Sequence, residues 1–158
     1  MSVSEEKFAE ELRLSRRFKA PREAEFRAFT DPEALVKWYG PEGMSVADLE
    51  VDLRPGGAYS LVFRQADGGG HPLSGVYREV SPPGRLVMTW VWGQGDMAGV
   101  ETLVTIDLAE AGFGAGAETE LTLTHEMLPS QNSIDHHGKG WIGIFNCLDR
   151  FVEEGGLA

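Results

Sequence analysis

Cys147 is the only cysteine among 158 residues, so no disulfide can close within the chain. That usage fits a reducing compartment, and the neighbours Phe145 and Leu148 mark the thiol as a buried, structural one. Basic side chains are also scarce: 14 Lys and Arg stand against 25 Asp and Glu, a formal charge of −11. Such a surface repels phosphate backbones instead of releasing their counterions, which argues against a nucleic-acid partner. No apolar run approaches the roughly 20 residues that cross a bilayer. The start, Met1-Ser2-Val3-Ser4-Glu5-Glu6, is acidic where a signal peptide would be basic and then apolar. The expectation is a cytoplasmic protein without membrane insertion. Zinc spacings such as His-Glu-x-x-His or Cys-x-x-Cys are missing, and His136-His137 are consecutive, so on a helix they point about 100° apart. His71 falls in a turn. No metal and no cofactor is expected. The glycine-rich stretches 67–70 and 112–116 lack the Lys-Ser/Thr of a phosphate loop and read as hairpin loops.

What is present is punctuation. The length suits one domain, 1–158, able to bury about two thirds of its unfolded surface and still enclose a cavity. Asp52-Leu53-Arg54-Pro55-Gly56-Gly57 is the most informative stretch, since Pro55 fixes φ on entry and the paired glycines allow positive φ. It marks a sharp reversal between strands. Alternation from Glu10 predicts a first strand ending near Lys19, with Phe8 just ahead of it. Ala20-Pro21 opens a helix striped by Ala24, Phe26, Ala28 and Phe29; Asp31 caps a second with Pro32 at its first position, and Gly40-Pro41 stops it. From 45 to 126 the period falls from 3.6 to 2, giving strands over 45–53, 58–65, 72–80, 85–92, 100–108 and 118–126. The turns between them are short, which favours an antiparallel meander. Ile134, Gly138, Trp141, Phe145, Leu148 and Val152 then share one face of a long helix over 130–153, ended by Gly155-Gly156. Gly138, Gly140 and Gly143 each weaken that helix by roughly 1 kcal/mol relative to alanine. Close packing on the sheet, or room left for something else, must compensate.

A seven-stranded antiparallel sheet with one apolar face has a single long helix to cover it, so the sheet must curl around that helix. The class is α+β with a helix-grip architecture, two short helices following the first strand. Into this order fall Ala20-Pro21, Phe26, Thr30-Asp31-Pro32-Glu33, Trp38, Gly40-Pro41, the 52–57 corner, Gly75, Glu79-Val80, Pro82-Pro83, Leu86-Val87 and Thr89-Trp90. Val104-Thr105, Thr119-Glu120-Leu121-Thr122, His125 and Gly140-Trp141 continue the series. Over residues 12–154 the pattern resembles the activator of heat shock protein 90 ATPase homologue-like family of the START-like, or SRPBCC, superfamily. The resemblance implies the Bet v 1-like helix-grip fold. That superfamily also holds polyketide cyclases, lipid-transfer domains and plant pathogenesis-related proteins, so one cavity serves carriage, sensing and catalysis. Two departures stand out: Glu25 replaces an apolar residue beside Phe26, and the turn over 111–117 is long and glycine-rich.

Few residues offer chemistry. Leu49, Val51 and Leu53 alternate with Asp48, Glu50 and Asp52, which places the acids on the solvent side, where Asp52 can pair with Arg54. His125 shares the inward face of Leu121 and Leu123; it reads first as a hydrogen-bonded core histidine and second as the one acid–base candidate. The aromatic set is larger. Trp38, Tyr59, Phe63, Tyr77, Met88, Trp90, His125, Trp141 and Phe145 are the expected lining of a cavity between sheet and helix, entered near Trp38. The leading expectation is a domain that binds a small apolar or aromatic molecule. A cyclase, dehydratase or hydrolase using His125 or a cavity tyrosine is the alternative, a chaperone partner ranks last, and a homodimer is the commonest oligomer by base rate.

Overall fold

Apolar residues at every second position build the strands, and the computed structural model describes residues 11–40, 42–112 and 117–155. Phe8, Pro41, Gly156 and residues 113–116, to which the sequence assigns roles, lie outside them. Strand β1 (Leu12–Phe18) leads into helices α1 (Arg22–Thr30) and α2 (Pro32–Trp38). Six strands follow: β2 (Met44–Val51), β3 (Ala58–Gln65), β4 (Gly70–Ser81), β5 (Arg85–Trp92), β6 (Thr102–Ala111) and β7 (Glu118–Glu126). Helix α3 (Gln131–Glu153) closes the order. The sheet runs β1-β7-β6-β5-β4-β3-β2, antiparallel at every pair. It curves around α3 in the expected helix-grip arrangement.

Local chemistry sets the helix ends. Asp31 accepts the Glu33 N–H at 3.0 Å, and the Trp38 indole N–H donates to the Ala28 carbonyl at 3.0 Å, tying α2 to α1. Ser130 and Ser133 form a reciprocal capping box at the start of α3, each side chain accepting the other's backbone N–H at 3.1 Å. Ile134, Trp141, Ile144, Phe145 and Leu148 make the buried face of that helix. Among the described residues, no helix is long and apolar enough to cross a membrane.

The corner at 52–57 is where the turn chemistry requires it. Gly56 has φ +84°, its N–H donates to Tyr77 O at 2.8 Å, and a Cβ on Gly57 would run into the Asp52 carbonyl oxygen. One expectation fails just before it. Leu53 is 41% exposed instead of facing inward, because β2 ends at Val51 and a bulge between Ala47 and Glu50, with Asp48 at φ +54°, breaks the alternation. Leu49 and Val51 still pack on the core, and Asp48, Glu50 and Asp52 face solvent. Asp52 meets Arg54 at 3.0 Å.

Candidate ligand-binding site

Between the sheet and the first half of α3 lies an apolar pocket of about 180 Å³. Phe63 of β3 and Trp90 and Trp92 of β5 form its sheet side. The helix contributes His136, His137, Gly140, Trp141 and Ile144. A Cβ built on Gly140 would meet nothing within 4 Å, whereas one on Gly138 would make an ordinary 3.6 Å contact with Leu12. Close packing on the sheet therefore does not explain Gly140; open volume does.

Two histidines sit against this pocket, each pinned by an indole. Trp141 Nε1–H donates to His125 Nδ1 at 3.1 Å. Indole nitrogen only donates, so the His125 proton is on Nε2, which faces Thr102 Oγ1 at 2.8 Å, and Thr102 passes its own proton to Trp90 O at 2.9 Å. Trp92 Nε1–H donates to His137 Nε2 at 3.0 Å, which puts the His137 proton on Nδ1, donating to Ser133 O at 2.7 Å. The tautomers are opposite, and the ring centroids are 4.8 Å apart. Burial, with His137 nearby, pushes His125 down to about 3; burial likewise lowers His137. Each ring has both nitrogens engaged in hydrogen bonds, which leaves neither a free lone pair in this arrangement.

The pocket adjoins a more polar groove of about 530 Å³ that shares Trp92, His136 and His137 with it. His71, Gln94 and Asp96 line the strand side of this groove; Ser130, Asn132 and Ser133 line the start of α3. The β5–β6 turn thus borders the side of the pocket that faces the groove. Trp38 is elsewhere, 6% exposed beneath a separate surface pocket with Cys147 and Phe151, its ring stacked on Phe151 at 6.4 Å.

Of the residues expected from sequence, Phe63, Trp90 and Trp141 come together in the pocket. His125 lies one layer behind it, bonded to Trp141. Tyr59, Tyr77, Met88 and Phe145 are buried in the core away from it. The Tyr59 hydroxyl donates to Thr89 O at 2.6 Å, and burial raises both tyrosines, Tyr77 to about 12, so these hydroxyls keep their protons. Trp92, His136, His137 and Ile144 lie outside the expected lining, whereas Gly140 is one of the three helix glycines that called for close packing or for open room. Trp92 shares the alternation of Trp90, a usable signal, and the cluster Gly138, Gly140 and Gly143 is a local hint of room along α3, though the sequence does not tell which of the three faces it. Glu25, the departure flagged beside Phe26, is 0% exposed with both carboxylate oxygens unpartnered. Burial, then the charge of Asp149, pushes it up to about 8. Among the described residues, no group of three or more His, Cys, Asp or Glu could hold a metal ion.

Residues 19–153 match the family described as activator of Hsp90 ATPase homolog 1-like protein. The chain belongs to that family. Protein CV1439 from Chromobacterium violaceum is 33% identical, with a TM-score of 0.77 over 89% of this chain and 96% of its own. The family member SPO3351 from Silicibacter pomeroyi is 28% identical, with a TM-score of 0.81 over 92% of this chain and 99% of its own. PFC0360w, an HSP90 activator from Plasmodium falciparum, is 22% identical, with a TM-score of 0.70 over 91% of this chain and 96% of its own, a likeness of fold. No curated protein matches the chain.

Proposed function

We propose that this family member is a small-molecule binding domain that holds a mostly apolar ligand between the sheet and the first half of α3. Gly140 carries the reading. A glycine inside a helix destabilises it by about 1 kcal/mol relative to alanine, and here no neighbour requires the missing Cβ. What it leaves is volume, bordered by aromatic rings and adjoining a polar groove, the arrangement of a ligand pocket. The catalytic alternative would need a proton carrier, and His125 has both nitrogens engaged. The chaperone-activator alternative draws on the family description and on the Plasmodium protein; it calls for an outer partner surface, whereas the feature that weakens the helix lies inside.

The test is a panel of small aromatic compounds followed by thermal shift and tryptophan emission, on the native chain and on Gly140→Leu. Native protein should gain stability with some of them. Gly140→Leu, its side chain filling the pocket, should be at least as stable yet respond to none; Gly140→Ala serves as a milder version of the same change. Equal responses from native and Gly140→Leu, or no response from either, would overturn the reading.

A further inference from the structure

The dimensions and polarity of the two adjoining spaces say more about the ligand than that it is apolar. An engineered cavity of about 150 Å³ accepts benzene, so a pocket of about 180 Å³ has room for one ring or a compact pair. A long acyl chain or a fused polycycle would have to leave most of its apolar surface in the more polar groove. Beyond the Trp92–His137 pair, the chemistry changes. Gln94, whose amide nitrogen donates to Gly70 O, keeps an amide oxygen as an acceptor at the edge of the groove, and Asn132 and Ser130 offer both donors and acceptors. Asp96 is the one carboxylate among the lining residues, and none of them is Lys or Arg. Asp96 is exposed, so it disfavours an anionic ligand group only through the general negative field of a chain of formal charge −11, and apart from the histidines of the lining such a group would find no cation there. The first turn of α3, whose Ser133 N–H is already capped by Ser130, borders the same space and offers its remaining N–H groups to acceptor atoms.

Building on the binding reading above, we infer that the ligand is a one- or two-ring aromatic compound carrying a short, uncharged polar arm such as an amide or hydroxyl. Its ring sits among Phe63, Trp90 and Trp141, and its arm passes Trp92 and His137 to reach Asn132 and Gln94.

Chemical-shift titration and calorimetry of the full chain with four probes test this. Toluene supplies the ring alone, 3-phenylpropanamide adds a neutral arm, 3-phenylpropanoate an anionic one, and decanoate a chain without a ring. The amide should bind at least tenfold more tightly than toluene and than the anion, with decanoate weakest. In the double variant Gln94→Leu with Asn132→Leu, the amide-to-toluene ratio should fall towards one. Gly140→Leu should lose all four. Binding of toluene as tight as the amide, or a preference for the anion or for decanoate, overturns the inference while leaving a binding pocket. Failure of every probe on the native chain overturns the pocket along with it.

Discussion

Along the second half of α3, Phe145 meets Phe18 edge-on at 5.9 Å, Phe151 stacks on Trp38 at 6.4 Å and Leu148 is fully buried. Along the first half, the same helix crosses the same sheet and leaves a hollow. The difference comes from what is added at each end. Helices α1 and α2 bring Phe29 and Trp38 over the second half, while the first half has a glycine where a side chain would fit and two histidines held by indoles. One helix thus serves as a packed wedge at one end and as a pocket wall at the other.

The contrast can be broken from either side. Leu148→Ala, at the filled end, should cost about 3–4 kcal/mol, since the space cannot collapse among rigid rings; urea unfolding gives the number. Glu25→Gln should do the opposite. The buried carboxyl holds its proton up to about 8 in the folded state, so the folded form is penalised progressively as pH rises from the unfolded value of 4.5 towards 8. The variant should therefore gain about 2–4 kcal/mol at pH 8, a gain that shrinks towards pH 5. At the open end the sign reverses. His125 titrates near 3 when folded and near 6.5 when unfolded, so its contribution is intact above 6.5 and is lost as pH falls towards 3. In His125→Gln, stability should drop less between pH 7 and pH 5 than in the native chain, by about 1–2 kcal/mol. Smallest is Gly140→Ala, expected to add about 0.5–1 kcal/mol through helix propensity alone. A loss at Gly140→Ala would mean that the filled end and the open end do not differ as described.

How much of this the sequence discloses depends on the range of the signal. The 52–57 corner, the Asp31 and Ser130 helix starts and the strand alternation are local, and they place nearly every element within two residues. β2 misled at Leu53 because a bulge at Asp48 has no signature in alternation alone. β4 begins at Gly70 instead of 72, since a hairpin pairs Gly70 with Arg64 through glycines that the alternation leaves blank. For the site, alternation and the helix stripe identify the inward faces of Phe63, Trp90 and Trp141. They cannot say how far along those faces the core is filled. Tyr59, Tyr77, Met88 and Phe145 face inward as well and are simply packed. The space at Gly140 is bounded by residues on three elements far apart in sequence, β3, β5 and α3, and its extent becomes visible only when these meet.

The placement of the indoles has an optical consequence. Three of the four tryptophans, Trp90, Trp92 and Trp141, border the hollow, and Trp90 and Trp141 lie 5.1 Å apart. Emission from the chain is therefore weighted towards one end of the molecule, while far-ultraviolet circular dichroism averages over every strand and helix. Denaturation followed by the two signals compares that end with the whole: coincident midpoints mean that the hollow melts with the sheet, and an earlier emission change means that it comes apart first.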